Sequence, residues 1–258
     1  MYAYSLCVFG DPEYLKGAAA LAGSIRQFGT GADILLLVTE DVQSNVIRPD
    51  LFTRIIPVPY LTSGPSRMSF KQKQVYAGFI TQVVTKLTGI RVSADLGYSK
   101  VILLDVDMIF LRNCDILFQL PFPGATWGVP NGITPELDNI GPWITRQQID
   151  RQLTNKTFVC SGALLLVEAN QREFDRILEG TVDGSNPSSP EEQLFAQYCS
   201  KWYSGCTVIP NDYNVIPWKK YSHPVDPKIY HFHSSKPWAI DRKTWPDLAV
   251  WWKVYDQL

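Results

Sequence analysis

The amino-acid sequence predicts an α/β fold, with a mainly parallel sheet flanked by helices and an irregular C-terminal half. Over the first hundred residues, apolar strand-like segments alternate with segments of helical periodicity, which is typical of parallel strands joined by right-handed crossovers. Two segments, Asp33–Thr39 and Lys100–Leu104, are almost continuously apolar, as expected for strands buried on both faces. Turn sequences such as Gly10-Asp11-Pro12 separate the segments.

In the first half of the chain, hydrophobic periodicity and the bounding turns define each element. The predicted strands are Tyr2–Phe9, Asp33–Thr39, Arg54–Val58 and Lys100–Leu104. The predicted helices are Tyr14–Phe28, Met68–Leu87 and its extension Arg91–Leu96. The last strand stops at Asp105, which places a carboxylate at the end of a core strand.

The second half predicts shorter elements separated by loops. Strands are expected at Ala163–Val167 and Lys228–Phe232, and helices at Asn170–Leu178, Glu191–Cys199 and Trp245–Leu258. Pro121–Pro130 and Gly180–Pro190 are rich in loop-forming residues. Because the chain has no internal repeat and no long linker, we predict a single domain over residues 1–258.

Composition and charge exclude several classes of protein. Hydrophobic residues make up 45% of the chain and charged residues 19%, which excludes disorder. The 24 basic and 25 acidic residues give a net charge of −1, so a nucleic-acid partner is not expected. The five cysteines form no CxxC pair, which indicates buried, reduced thiols rather than zinc or disulfide sites. No signal sequence or membrane-length apolar run is present, and we expect a cytoplasmic protein without a membrane span.

Two carboxylates, Asp105 and Asp107, follow the strand Lys100–Leu104 at a spacing of i, i+2. Ligands of open α/β sheets bind beyond the carboxyl ends of strands. Two acids at such a position repel each other unless a cation is present, and their oxygens suit Mn2+ or Mg2+. The alternative is a pair of strand-end acids that accept hydrogen bonds from loop amides.

A histidine and a lysine near the end of the chain add to this pattern. His231 comes at the end of a predicted strand, and Lys236 lies five residues on, before Trp238. A neutral imidazole can complete a metal site begun by carboxylates, and an ammonium group can meet a phosphate. An isolated histidine would more simply bind a backbone carbonyl, but its combination with Lys236 favours a functional site.

Glu192 and Gln193 open a predicted helix after a Ser/Pro loop. Acidic residues in a first turn usually stabilise the helix dipole, and on the residues alone this interpretation is preferred. The alternative is that the carboxylate and amide face a sugar.

Together these motifs resemble the glycogenin-like branch of the retaining glycosyltransferases, family 8, over essentially the whole chain. The resemblance rests on six short pieces that follow in family order: Glu13–Ala18, Thr85–Leu87, Leu104–Met108 with Leu111–Asn113, Ser161-Gly162 with Glu192-Gln193, Tyr213-Asn214 with His231 and Lys236–Trp238, and Val250–Trp252. It implies the single-domain GT-A fold, a Rossmann-like mixed sheet. Residues 1–110 would form the nucleotide-binding half and residues 111–258 the half that binds sugar and acceptor.

The resemblance also implies the ligands and partners. The donor would be a UDP-sugar, with UDP-glucose favoured, and the metal Mn2+, with Mg2+ as an alternative. The sugar would pass, with retention, to a hydroxyl of an unidentified acceptor, and the protein would form a homodimer. Tyr221 lies seven residues after Asn214, near the spacing of the family's self-glucosylated tyrosine, although an ordinary surface tyrosine is the preferred interpretation.

The site residues are carried over from the family motifs. Metal ligands would be Asp105, Asp107 and His231. Donor-binding residues would be Val8, Phe9, Gly10, Asp11, Tyr14, Lys86, Asp105, Val106, Asp107, Ser161 and Lys236. The residues at the sugar, and so the catalytic candidates, would be Lys86, Glu192 and Gln193.

This chain departs from the family pattern where the sugar would bind. Glu192-Gln193 replaces an Asp-Gln pair, and Cys160 replaces an asparagine. Such changes alter sugar choice or rate. Three alternatives to transfer onto a separate acceptor therefore stay open: a self-glucosylating primer, a catalytically silent UDP-sugar binder or scaffold, and, less favoured, a nucleotidyltransferase without a glycine-rich phosphate loop.

Overall fold

The computed structural model describes residues 1–43, 46–63, 80–127, 142–217, 226–233, 236–244, 246 and 248–258. Its strands are β1 (Tyr2–Val8), β2 (Asp33–Val38), β3 (Arg54–Pro57), β4 (Lys100–Leu104), β5 (Met108–Phe110), β6 (Gly124–Trp127), β7 (Trp143–Thr145), β8 (Cys160–Glu168), β9 (Gly205–Ile209) and β10 (Ile229–His231). Its α-helices are α1 (Tyr14–Gln27), α2 (Glu40–Gln43), α3 (Thr88–Asp95), α4 (Arg146–Thr154), α5 (Gln171–Leu178), α6 (Pro190–Tyr203) and α7 (Leu248–Tyr255).

Within the described ranges, eight strands form one mixed, mostly parallel sheet in the order β3-β2-β1-β4-β8-β6-β9-β7. The first four strands of this order are mutually parallel, as the alternation of strands and helices predicts. β8 then runs antiparallel to β4, so the start of β8 lies beside the carboxyl end of β4. β5 and β10 form a separate antiparallel pair.

Because successive side chains of a strand point to opposite faces of the sheet, the core is divided between the two faces. On β4, Ile102 and Leu104 belong to the cluster that packs on α1, whereas Val101 and Leu103 belong to the cluster under α3, α5 and α6. α1 can lie close to the sheet because its inward face is rich in alanine and glycine. Helices thus cover both faces, and polar groups at the strand ends are left to form a site.

The structure confirms most of the predicted elements and corrects others. The strands and helices predicted before residue 60 are present within one residue at each end. Pro121–Pro130 was expected to be loop, but it contains β6, and the prediction also missed β5, β7, β9 and α4. These strands have three to five residues, which is too short for an alternating pattern to stand out.

The predicted helix Met68–Leu87 lies mostly outside the described residues, and its end, Val83–Leu87, is a 3-10 helix followed directly by α3. The closing helix is α7, shorter than the predicted Trp245–Leu258. All five cysteines are buried and unpaired, as expected. Among the described residues, no helix has the length and apolar character that a membrane crossing requires.

Candidate active site

The centre of the candidate site is a group of two carboxylates and one imidazole at the carboxyl end of β4. Asp105 follows β4 directly, and Asp107 directly precedes β5. β5 pairs with β10 in a register that places His231 opposite Met108, next to Asp107. One ligand atom from each of Asp105, Asp107 and His231 lies within 4.8 Å of the other two. The sheet therefore assembles residues that are far apart in the chain.

His231 is oriented by a buried amide. Its Nδ1 lies 2.8 Å from Oδ1 of Asn214, whose Nδ2 donates to the hydroxyl of Thr126 at 2.9 Å. Since the oxygen of Asn214 can only accept, Nδ1 of His231 is the donor, and in the neutral tautomer Nε2 is the nitrogen with a lone pair. Nε2 lies 3.4 Å from Oδ1 of Asp107. A ring nitrogen held in this tautomer is the usual form of a metal-bound histidine.

This donor set fits a divalent cation. Two carboxylates and one imidazole are ligands that Mn2+ accepts, and Mg2+ accepts the carboxylates. Asp107 is 5% exposed and His231 2% exposed, while Asp105 is half-buried and keeps an open side. Such a site leaves positions on a bound cation for another ligand.

Lys86 neutralises one of the two carboxylates. Its ammonium donates to Oδ1 of Asp105 at 2.6 Å and to the carbonyl oxygen of Gly162 at 2.9 Å, and lies 3.4 Å from Oε1 of Glu191. Burial lowers the pKa of Lys86, but the charges of Asp105 and Glu191 outweigh burial and raise the pKa above its ordinary value. Lys86 is therefore a fixed cation that joins the strand-end acids to the start of α6.

Lys236 neutralises the other carboxylate. Its ammonium donates to Oδ2 of Asp107 and, at 3.0 Å, to the carbonyl oxygen of His233. Burial opposes ionisation of both partners, but the pair of opposite charges lowers the pKa of Asp107 and raises that of Lys236. The ammonium also lies 5.8 Å from the centre of the Tyr14 ring.

Packing of Trp238 on α1 holds the segment that carries Lys236. Trp238 contacts the rings of Tyr14 and Trp251, with centroids 5.2 and 5.8 Å away. It lies against Gly17, where a Cβ atom would come within 2.6 Å of the indole and 2.6 Å of the carbonyl oxygen of Val106. Gly17 thus allows both the Trp238 segment and the backbone at Val106 to approach α1.

Glu191 is a site residue that the sequence-based prediction missed. It is 5% exposed, and its Oε2 has no hydrogen-bond partner among the described residues. A Cβ on residue 162 would lie 2.6 Å from Oε1 of Glu191, so Gly162 is what admits this side chain. Glu191 is thus a buried carboxylate beside Lys86, and one of its oxygens has no hydrogen-bond donor among the described residues. A buried acceptor without a donor lowers the stability of the folded protein.

Glu192 and Gln193 hold the start of α6, which agrees with the helix-start role preferred from the residues alone, while the sugar contact implied by the resemblance stays a prediction. Oε1 of Glu192 accepts from the amide of Gly162 at 2.9 Å, and Oε2 accepts from the amide of Ser189 at 2.8 Å as part of a capping box. Burial and then the charge of Glu191 raise the pKa of Glu192 to about 7.

Gln193 is directed at the loop before α6 rather than at the carboxylates. Its Oε1 accepts from the amide of Asp183 and its Nε2 donates to the carbonyl of Ser188, each at 2.8 Å. The structure therefore brings Glu191, not Gln193, into the cluster with Lys86. The clue in the sequence is Gly162, since a glycine beside a strand end can mark a close approach of another side chain.

The residues predicted to bind the nucleotide lie at the carboxyl end of β1, next to that of β4. Val8 ends β1, Phe9 and Asp11 follow, and Gly10 has φ +76°, a conformation that favours glycine. Tyr14 begins α1 and contacts the Trp238 ring.

The remaining predicted donor-binding residues lie beside the two acids. Val106 is buried between Asp105 and Asp107, and Ser161 is half-buried near the start of β8. The hydroxyl of Ser161 accepts from the amide of Ala163 at 3.3 Å. Tyr221 lies outside the described residues.

Comparison with known proteins finds relatives that align with most of this chain. No family model matches the chain. Protein R707 of Acanthamoeba polyphaga mimivirus, itself described as uncharacterized, is 31% identical over 92% of this chain and 82% of its own length. Glycogenin of Neurospora crassa is 24% identical over 95% of this chain, which spans only 33% of that protein. Glycogenin-1 of Oryctolagus cuniculus is 25% identical over 94% of this chain and 72% of its own length.

Solved structures agree in fold. The galactosyltransferase LgtC, in a crystal structure with donor and acceptor sugar analogues, superposes with a TM-score of 0.59. The match covers 99% of this chain and 96% of the LgtC chain at 12% identity. From these relatives and this fold, the chain belongs to the glycogenin-like glycosyltransferases of family 8, which have the GT-A fold.

Proposed function

We propose that this glycosyltransferase moves a hexose, with glucose favoured, from a UDP-sugar to a hydroxyl acceptor, with retention of configuration and with a divalent cation. The observation that carries the proposal is the joint placement of Asp105, Asp107 and His231 with Lys86 and Lys236 at the end of β4. Carboxylates, an imidazole and ammonium groups at a strand end suit a cation-bound diphosphate.

Each half of the chain has a role in this proposal. Residues 1–110 bind the nucleotide, with the uridine lying along Val8–Asp11 and Tyr14, and residues 111–258 hold the sugar and the acceptor. Asp105, Asp107 and His231 hold Mn2+, or Mg2+ in its place. When bound, the cation neutralises the charge that develops on the leaving diphosphate. Lys236 donates a further hydrogen bond to that group.

We assign the sugar contact to Glu191. Oε2 of Glu191 is unpaired but has almost no accessible surface, so a shift of the side chain on donor binding would open it to a sugar hydroxyl, whose hydrogen bond would satisfy this acceptor. Lys86 holds the other oxygen of the same carboxylate in place. Glu192 and Gln193 then act indirectly, because they fix the helix start on which Glu191 stands.

Retention follows, in this proposal, if the acceptor hydroxyl attacks from the face that UDP leaves. The β-phosphate oxygen then takes the acceptor proton, and the anomeric carbon passes through an oxocarbenium-like state. NMR of the product gives its anomeric configuration and so tests retention. Comparison of the reaction with UDP-glucose, UDP-galactose and UDP-xylose identifies the donor.

Release of UDP tests the proposal without knowledge of the acceptor. We expect slow, Mn2+-dependent UDP release from one of these donors, and none after chelation. Cation-dependent binding of UDP without release would favour a silent binder. Absence of UDP binding in the presence of Mn2+ would contradict the proposal.

Self-glucosylation is a second candidate because Tyr221 stands at a spacing near that of the family's acceptor tyrosine. The intact mass after incubation with UDP-glucose distinguishes it. A hexose increment that is lost in Tyr221→Phe would support a self-acceptor. An unchanged mass during transfer to an added acceptor would reject it. The homodimer implied by the family is a separate prediction that light scattering tests.

A further inference from the structure

Each of the two candidate carboxylate ligands is already paired with a lysine. Asp105 and Asp107 together carry two negative charges, and Lys86 and Lys236 carry two positive charges. Asp107 is buried, and its burial is tolerated because each carboxylate oxygen has a polar neighbour, His231 or Lys236. A divalent cation that approaches this group meets carboxylates whose charge is already compensated.

The two lysines are held to different degrees. The side chain of Lys86 is 8% exposed and has three acceptors from different elements, including a second carboxylate, Glu191. The side chain of Lys236 is 22% exposed, and Asp107 is the only carboxylate with which it pairs among the described residues. Lys86 can therefore stay in place when a cation takes Asp105, whereas Lys236 loses its counter-charge when a cation takes Asp107.

A diphosphate would supply the anion that Lys236 then lacks. Lys236, whose side chain is 22% exposed, stands two residues before Trp238, and Trp238 packs against Gly17 of α1. A long, flexible side chain on an anchored backbone can exchange one anionic partner for another over a few ångströms.

We propose that Lys236 exchanges Asp107 for the diphosphate of the nucleotide when a cation binds, so that Lys236 weakens binding of the cation alone and strengthens binding of cation and nucleotide together. This inference rests on the proposed function and deepens it. By linkage, nucleotide raises the affinity for the cation by the same factor by which the cation raises the affinity for nucleotide, and the exchange at Lys236 increases this shared factor.

The test is Mn2+ binding itself, measured by titration calorimetry without nucleotide and again with saturating UDP. Lys236→Gln is expected to bind Mn2+ alone roughly tenfold more tightly than the wild type, because Asp107 is freed from its ion pair. The factor by which saturating UDP raises the affinity for Mn2+ is expected to be about tenfold smaller in this variant than in the wild type. Some coupling persists because diphosphate and cation attract each other directly.

Two further variants control the test. Lys236→Arg keeps the charge and is expected to keep weak Mn2+ binding in the absence of UDP. Lys201→Gln removes an exposed lysine that pairs with Glu179 near the C-terminal end of α6, and is expected to behave as the wild type in every titration. Circular dichroism verifies that each variant is folded.

The outcomes separate this inference from the proposed function. If folded Lys236→Gln binds Mn2+ alone no more tightly than the wild type, the exchange of partners is overturned, even if UDP binding still depends on Mn2+. If the wild type itself binds no UDP in the presence of Mn2+, the proposed function is contradicted, and this inference with it.

Discussion

Nδ1 of His231 lies 2.8 Å from Oδ1 of Asn214, and this contact decides which nitrogen of the imidazole is available at the candidate metal site. Asn214 is fully buried and is itself held by the hydroxyl of Thr126 on β6. The chain thus fixes the tautomer of His231 through a strand that contributes no ligand of its own. Asn214 is a positioning residue, and its effect is measurable as cation affinity.

Removal of the amide of Asn214 should weaken binding of the cation. In Asn214→Ala, Nδ1 of His231 loses its acceptor, and Nε2 is no longer held as the free nitrogen. Loss of such an outer partner typically lowers metal affinity by about 10- to 100-fold. Calorimetric titration of Mn2+ in the presence of UDP measures the change. Asn211→Ala, an exposed asparagine of the same turn, is the control, and equal affinities of the two variants would contradict the role of Asn214.

Addition of one methyl group at Gly162 should displace Glu191. The Cβ atom would lie 2.6 Å from Oε1 and 3.2 Å from Cγ of Glu191, so the carboxylate must move away from Lys86. We expect Gly162→Ala to lose at least roughly tenfold in UDP release at a cost of about 1–3 kcal/mol in stability. Gly124→Ala is the matched control, because its Cβ would meet neighbours at an ordinary 3.5 Å. Similar activities of the two variants would argue against the assignment of Glu191.

Glu191 and Gln193 should differ in what they control. We expect Glu191→Gln to lower the rate of UDP release by about 100-fold or more, since the side chain keeps its shape but loses the charge beside Lys86. We expect Gln193→Ala to lower stability by about 1–3 kcal/mol, because the buried carbonyl of Ser188 and the part-buried amide of Asp183 lose their partner, and to lower the rate less. Urea unfolding and UDP release on both variants measure the two effects. The opposite ranking of rates would restore Gln193 as the residue at the sugar.

The first half of the fold could be predicted because its strands are long, buried on both faces and bounded by turns. β2 and β4 have few polar residues between their ends, and such runs are recognisable without knowledge of partners. β5, β7 and β9 are stabilised by pairing with strands that are distant in the sequence. Each has only three to five residues, so its own sequence does not indicate that pairing.

The same distinction applies to the site. Asp105 and Asp107 were predictable because two acids at the end of a core strand conflict with burial unless they have a function or cationic partners. The choice between Glu191, Glu192 and Gln193 depended on which way each side chain leaves the first turn of α6. That direction is set by the capping box at Ser189 and by the space at Gly162. Neither follows from the order of residues along the chain.

The raised pKa of Glu192 predicts how stability depends on pH. Its pKa of about 7 in the folded protein exceeds the value of 4.5 of an unperturbed side chain, so the folded state binds the extra proton between these values. The free energy of unfolding should therefore fall as pH rises from about 4.5 to about 7, by at most ~1.4 kcal/mol per pH unit from this group.

Glu192→Gln isolates this contribution because the amide does not titrate. Urea unfolding of both proteins at about pH 5, 6 and 7 gives the difference in stability at each pH. We expect the wild type to lose its advantage over the variant progressively across this range. A difference that stays constant across these pH values would contradict the raised pKa.

Cation-dependent turnover in Asp107→Asn tests the central claim most directly. Asp107 touches both His231 and Lys236, and its replacement by asparagine changes the charge but not the shape of the side chain. Asp226→Asn, at an exposed ion pair with Arg112, controls for the loss of an acid elsewhere. The measurement is UDP release from UDP-glucose, UDP-galactose and UDP-xylose, with Mn2+ and after chelation. The account predicts Mn2+-dependent release by the wild type and Asp226→Asn, and a loss of several orders of magnitude in Asp107→Asn. Near-normal release by Asp107→Asn, or release that persists after chelation, would contradict it.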